Sequence, residues 1–257
     1  MSQADRGELF ARLHEGEPFF IPNPWDAGSA RVLEALGFPA LATTSSGFAF
    51  TLGKRDGEAT IEEVVGHVAT LAAAVEVPLS VDLENGYGAD PDACGDAIRR
   101  VAAAGAVGAS IEDWDSGGFL YDRDAAVERV AAAVEAAREL PFPFFVTGRA
   151  ENHIRGNPDL GDTIARLQAY EAAGADCLYA PGIATLDEIR TVCAAVSKPV
   201  NVLAIPGLTA ADIFGAGAQR ISVGGALTWV ATRALSDAAA ALLEGDLAPL
   251  AGAAPKL

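Results

Sequence analysis

The chain has 257 residues, 51% of them apolar, and its 35 acidic against 18 basic side chains leave a formal net charge of −17. That length suits one barrel-sized domain, and the shortage of cations argues against nucleic acid or an anionic membrane surface as a partner. No apolar run reaches the ~18 residues needed to cross a bilayer, and Met1-Ser2-Gln3-Ala4-Asp5-Arg6 is polar and mixed in charge, so a cytoplasmic protein is expected.

Along the chain, short β-branched runs alternate with longer Ala-rich segments of helical spacing. The strand runs are Phe19 to Trp25, Ala40 to Ser46, Pro78 to Glu84, Gly108 to Asp113, Phe144 to Ala150, Cys177 to Pro181, Pro199 to Ala204 and Arg220 to Gly224. Helices are predicted at Thr60 to Val75, Asp90 to Ala104, Arg123 to Leu140, Thr163 to Ala173 and Leu186 to Val196, and two of them stop at Gly105 and Gly174. Eight such units imply a parallel sheet and favour a single-domain (β/α)8 TIM barrel over residues 1–257. An open Rossmann-like sheet is the lesser alternative, since neither GxGxxG nor GxxxxGK[ST] occurs. A last apolar helical stretch, 227–243, either docks on its own barrel or is exchanged between subunits. Cys94, Cys177 and Cys193 form no metal-ligand pattern and read as small buried hydrophobes of a reducing compartment.

In such a barrel the chemistry lies where the strands end. Strand three ends in Asp82-Leu83-Glu84-Asn85-Gly86-Tyr87-Gly88, and in extended backbone positions i and i+2 share a face, so Asp82 and Glu84 are expected to point the same way. Two anions in one mouth repel unless a cation sits between them. Strand four adds Glu112 and Asp113, strand five adds Arg149 and Glu151 with His153 close behind, and strand seven adds Asn201. Strand two ends in Thr44-Ser45-Ser46-Gly47, and the loop after it carries Lys54, Arg55 and Asp56. An all-oxygen set without a histidine cluster suits a hard divalent cation, Mg²⁺ or in its place Mn²⁺. Arg149 beside it suits the carboxylate of a small acid.

Each residue also has a plainer reading. A lone strand-end carboxylate is more often a helix cap, Ser45-Ser46-Gly47 reads equally well as turn chemistry, and Asp113 should face away from Glu112 in a structural role. His153 is an acid or base, or a capping residue; His14 and His67 fall on helices and carry no signal. A Schiff-base enzyme needs a lysine in the mouth, but Lys198 precedes a strand and Lys256 is in the tail, leaving Lys54 alone. A serine hydrolase would want GxSxG or a histidine placed near a serine, and neither is evident.

Taken together, Asn23-Pro24-Trp25-Asp26-Ala27, Ser46-Gly47, DLENGYG at 82–88, IED at 111–113, GRAEN at 148–152 and Asn201 resemble the isocitrate lyase/phosphoenolpyruvate mutase superfamily, over nearly the whole span from Phe19 to Gly225. The resemblance implies a barrel in which Mg²⁺ binds the oxygens of a small 2-oxo acid and stabilises an enolate as a C–C or P–C bond breaks or forms. By position it makes Asp82 the direct metal ligand and a substrate neighbour, with Glu84 (usually Asp) and Glu112 acting through metal-bound water. Asp56 would face the same waters, Arg149 would steady the enolate oxygen, and Trp25, Ser46, Gly47 and Asn201 would line the substrate pocket; Arg149, Asp56 and Glu112 are the expected catalytic residues.

The lyases of that superfamily carry a Lys-[Lys/Arg]-Cys-Gly-His loop after IED, and the mutase and hydrolase branch has Lys and Asn in a gating loop there. This chain has Trp114-Asp115-Ser116-Gly117-Gly118-Phe119-Leu120-Tyr121. Strand six ends in Ala180-Pro181-Gly182, where methylisocitrate lyases place a Glu. The expectation is therefore a Mg²⁺-dependent lyase of a small 2-oxo or 2-hydroxy carboxylic acid, oxaloacetate decarboxylase-like, because losing CO₂ needs no acid on the leaving group. A Cys-independent isocitrate or methylisocitrate lyase, a phosphonopyruvate hydrolase or mutase, and a catalytically weak 2-oxo-acid-binding protein are the alternatives. Superfamily members associate, so a homo-oligomer, dimer or tetramer, is expected.

Overall fold

The computed structural model describes residues 1–252; Lys256 lies outside them. Eight strands form one parallel sheet: β1 (Phe19–Ile21), β2 (Leu41–Ala42), β3 (Leu79–Asp82), β4 (Gly108–Glu112), β7 (Phe145–Arg149), β8 (Cys177–Tyr179), β9 (Val200–Leu203) and β10 (Arg220–Ser222). Their order is β1-β10-β9-β8-β7-β4-β3-β2. The two ends of that order meet where the Ala42 N–H donates to the Pro22 carbonyl at 3.1 Å and the Asn23 side-chain amide donates to the Thr43 carbonyl at 3.0 Å. The sheet is thus a closed TIM-like barrel. β1 is shorter than its run suggests because Pro22 and Pro24 have no N–H to extend the ladder.

The helices are α1 (Gln3–Glu15), α2 (Ala27–Ala35), α3 (Ser45–Thr51), α4 (Ile61–Ala74), α5 (Pro91–Ala103), α6 (Arg123–Arg138), α7 (Leu160–Ala172), α8 (Leu186–Ala195), α9 (Ala210–Gly215) and α10 (Ala226–Leu243). Reciprocal caps start several of them, including Thr60 with Glu63 on α4 and Thr185 with Glu188 on α8. Gly105 after α5 has φ +110, and a Cβ there would lie 2.7 Å from that of Ala72, so both conformation and space require glycine.

Strand alternation sorts the side chains. Val81, Ala109, Val146, Leu178, Val202 and Ile221 are at most 1% exposed and belong to the apolar core packed with the helices. Burying one Leu, Val or Ile of this kind contributes roughly 1.5–3 kcal/mol. The intervening positions, Ser80, Ser110, Asn201 and Ser222, line a polar barrel interior with Asp82 and Arg149 above them. Beneath the mouth, Arg220 is 4% exposed and held by neutral partners, the Asn201 amide oxygen, Thr147 Oγ1 and His14 Nε2.

Between β4 and α6 the chain makes a small antiparallel hairpin, β5 (Trp114–Asp115) and β6 (Phe119–Leu120), where the sequence suggests only a loop. α10 has a single buried residue, Thr228, and leaves Trp229, Val230 and Leu235 exposed.

Candidate active site

The inner layer of the mouth is set by strand register. Glu112 on β4 pairs directly with Arg149 on β7, and Asp82 ends β3 next to them. Arg149 Nη1 is 3.2 Å from Glu112 Oε2 and 3.4 Å from Asp82 Oδ1, while its Nε donates to Glu151 at 2.6 Å. Burial opposes its charge, but Glu112, Glu151 and Asp82 together push the guanidinium well above its ordinary value. Burial likewise drives Glu112 well above the usual carboxylate range; Arg149 draws it back, and Glu151 and Asp82 push it further up. The second oxygen of Asp82 accepts the Ser45 N–H at 3.1 Å, at the start of α3.

Glu84 reaches the mouth by a route other than the expected pleat. β3 stops at Asp82, and Glu84 and Tyr87 adopt left-handed backbone, φ 47° and 61°. The carboxylate of Glu84 accepts from the Tyr87 hydroxyl at 2.7 Å and lines the mouth. Desolvation raises it to about 7, with Asp82 and Asp56 adding to the effect and the Tyr87 hydrogen bond opposing it. Buried Arg129, from α6, holds this turn by donating to the carbonyls of Asn85, Gly88 and Ala89. Asn85 in turn ties the turn to the hairpin by donating to Asp115 and the Tyr121 hydroxyl, each at 3.1 Å.

Behind this layer stands Asp113, facing away from the mouth as alternation requires. It is 2% exposed; one oxygen accepts the Glu151 N–H at 2.7 Å, and the other accepts from Arg166 at 3.0 Å and from the Tyr170 hydroxyl. Glu151, wholly buried, uses its two oxygens to hold the Nε of Arg149 at 2.6 Å and of Arg155 at 2.8 Å. From the sequence, Glu151 is placed among the mouth carboxylates but not recognised as a bridge between two arginines, and Arg155 is not marked out at all. The pair lies four residues apart in GRAENHIR, a spacing that could have flagged it.

The other candidates separate by position. Asp56 lies on the rim of the outer cavity, its carboxyl raised by desolvation and then by Asp82, and Asn201 lines the inner cavity. Ser46, Gly47 and Trp25 line neither cavity: Ser45 is the residue of that segment that does, and Gly47 packs against Thr44, Thr228 and Trp25. The stretch expected to be a turn and loop is helix α3, capped by Thr44. Lys54 is paired with Glu63 at 2.5 Å, and His153 is packed against Thr163 at 2.9 Å. His67 stacks on Phe48 and contacts the Trp25 carbonyl, and His14 meets Arg220, so both have structural roles that their helical positions did not signal.

Two cavities meet at Arg149: an inner one of about 50 Å³ inside the barrel and an outer one of about 440 Å³ bounded by Ser45, Glu84, Glu112, Trp114 and Arg155. Among the described residues no three His, Cys, Asp or Glu side chains are close enough to enclose a metal by themselves. The donor chemistry still fits a hard cation that keeps most of its water: oxygen donors surround the space, and mutual repulsion helps raise Asp56, Glu84 and Glu112.

The family model for phosphoenolpyruvate phosphomutase matches residues 10–243. The chain belongs to the phosphoenolpyruvate phosphomutase family. It therefore falls within the superfamily that its motifs resemble. Among solved structures, one from Burkholderia cenocepacia J2315, named provisionally as a lyase/mutase, is 49% identical with a TM-score of 0.95, covering 98% of this chain and 93% of that one. A protein of Mycobacterium tuberculosis is 34% identical over 92% of this chain and 89% of its own length. An oxaloacetate decarboxylase of Rhodopseudomonas palustris is 31% identical over 93% of this chain and 85% of its own. Phosphoenolpyruvate phosphomutase family membership makes this barrel a lyase or mutase scaffold.

Proposed function

We propose that the protein is a Mg²⁺-dependent lyase of small 2-oxo acids that works through an enolate, with oxaloacetate decarboxylation as its reaction. The cavity wall carries this reading. Carboxylates and guanidinium groups converge there, whereas no thiol, lysine or histidine lines either cavity among the described residues. A bond that breaks to release CO₂ needs no acid on the leaving group, so this inventory suffices for it. The oxaloacetate decarboxylase among the relatives supports the same choice.

In that reaction the C3–C4 bond breaks, its electron pair moves into the C2–C3 bond and onto the 2-oxo oxygen, CO₂ leaves, and a proton added at C3 yields pyruvate. Charge grows on one oxygen, which is where a fixed guanidinium helps most. Arg149, locked through Nε by Glu151, serves as that cation. Asp82 would hold Mg²⁺, or Mn²⁺ in its place, directly, with Glu84, Glu112 and Asp56 reaching it through water. When bound, the cation supplies Lewis-acid polarisation of the 2-oxo oxygen. Asn201 contacts the substrate from the inner cavity, and Trp25, Ser46 and Gly47 back the wall that Ser45 presents.

The test is a panel of oxaloacetate, isocitrate, methylisocitrate and phosphonopyruvate with Mg²⁺, followed for pyruvate, succinate and phosphate. Wild type should form pyruvate from oxaloacetate faster than Asp82→Ala, which should neither bind metal nor turn over while remaining folded. Succinate or phosphate as the product would replace the decarboxylase reading with a lyase or hydrolase one. Metal-dependent binding without turnover would reduce the protein to a 2-oxo-acid binder.

The three free thiols suit the reducing cytoplasm as its location. The exposed apolar side of α10 and the groove of Trp25, Val32, Leu36, Leu227 and Val230 beside it suit a homo-oligomer, dimer or tetramer, in which α10 packs on another copy. Light scattering on the purified protein would return a monomer mass if that is wrong.

A further inference from the structure

Of the guanidinium groups that line the outer cavity, Arg55 and Arg155 have no part in the scheme above, and Arg155 is the one that side-chain contacts of the site hold in place. Arg155 follows β7, and its side chain keeps 34% of its surface open. Its Nε donates to Glu151 at 2.8 Å, and its guanidinium stacks over the Trp114 ring, 4.6 Å from the centroid. Neither Nη atom makes a hydrogen bond among the described residues, and Glu112 Oε1 lies 3.7 Å from Nη2. Arg149 is differently placed, since its Nη1 already faces Asp82 and Glu112.

Glu151 therefore sets two guanidinium groups side by side, and Asp113 fixes Glu151 through its N–H. The inner group is engaged with carboxylates of the protein. The outer group is anchored by one edge and sits over an indole, which leaves the remaining donors of its planar fork for a carboxylate. Both line the outer cavity of about 440 Å³.

We propose that Arg155 is the specificity-determining residue of this site and takes the second, distal carboxylate of a 2-oxo or 2-hydroxy dicarboxylate. The assignment rests on the reading of the inner site as the seat of the 2-oxo acid. It also fixes the sign of the kinetic effect. A carboxylate that departs as CO₂ loses its charge as the bond breaks, so its contact with Arg155 is strongest before the transition state. Removing such a contact raises KM without lowering kcat.

Malate and lactate differ only in the distal carboxylate, and oxalate occupies the inner half alone. Calorimetric titration of all three in the presence of Mg²⁺, against wild type, Arg155→Lys and Arg155→Met, separates the possibilities. Wild type should prefer malate over lactate, and Arg155→Met should cut that preference by roughly tenfold while leaving oxalate affinity unchanged; Arg155→Lys should retain part of it. With oxaloacetate as substrate, the same loss should appear in KM. If wild type binds oxalate and Arg155→Met keeps the full malate preference, the assignment of Arg155 is wrong and the inner site stands. If Arg155→Met weakens oxalate as much as malate, Arg155 merely supports Arg149, which overturns the assignment in a different way. If wild type binds none of the three, the 2-oxo-acid reading fails and takes the assignment with it.

Discussion

Removing the carboxylate of Asp113 is the sharpest test of how the site is supported. Burial pushes this carboxyl up, and the Tyr170 hydroxyl, the Glu151 N–H and Arg166 draw it back, and as a class buried pairs add little over apolar packing. Losing half of such a pair is another matter. In Asp113→Ala, Arg166, whose side chain is 8% exposed, keeps only Asp162 at 2.9 Å and the Tyr121 carbonyl at 2.9 Å, while the Tyr170 hydroxyl and the Glu151 N–H lose their acceptor. Breaking a buried pair costs ~3–5 kcal/mol, and the surviving Asp162 places this one near the lower end, about 3 kcal/mol. At ~2–4 °C per kcal/mol for a chain of this size, the melting temperature should fall by roughly 6–12 °C. Thermal denaturation measures it directly, and activity at a temperature where the variant is still folded should also fall, because Glu151 carries Arg149. A variant melting within about 2 °C of wild type would show that the buried network contributes little.

Three further outcomes are expected. Arg149→Lys keeps the charge but loses the fork, and should lower kcat/KM by at least about tenfold, ~1.4 kcal/mol; wild-type kinetics would leave Arg149 a structural counter-ion. Thiol reagents should not inactivate the enzyme, since burial raises Cys94 and Cys193 to about 11 and also pushes Cys177 up; rapid inactivation prevented by substrate and Mg²⁺ would contradict the placement of these residues. Burial first, and Arg220 second, depress the buried His14 imidazole to about 3, so the folded protein keeps it neutral where the unfolded chain protonates it. Its contribution is complete above its unfolded value near 6.5 and declines as pH falls towards about 3. The stability gap between wild type and His14→Gln, from denaturant midpoints at pH ~7.5 and ~5.5, should therefore shift against wild type by about 1.4 kcal/mol per pH unit below ~6.5; a constant gap would refute the buried neutral state.

The barrel was legible in the chain because parallel strands covered by helices are buried and read as short β-branched runs, as with Leu79 to Asp82 and Phe145 to Arg149. Asp82, Glu112 and Arg149 were legible for a related reason: strand alternation carries a residue at a strand end into the mouth. What escaped notice depends on distant partners or on backbone that leaves the pleat. Arg129 grips carbonyls about forty residues away, and nothing in its own helix marks it out. The hairpin has two-residue strands, too short for any periodicity to show. Ser45 and Ser46 looked alike as turn residues, and only the start of α3 at Ser45 decides which of them faces the cavity.

The left-handed turn at Glu84 has a consequence for how such a site can change. Asp82 is positioned by the ladder between β3 and β4, so moving it means disturbing the sheet. Glu84 is positioned by its own turn, closed by the Gly86 N–H on the Leu83 carbonyl at 2.8 Å and pinned from outside by Arg129. The two charges are therefore governed by separate mechanical parts. Substitutions or length changes between Asn85 and Gly88 can shift the outer carboxylate towards or away from the hairpin without altering the inner one, so the scaffold can resize the outer cavity while Asp82 and Arg149 stay where they are.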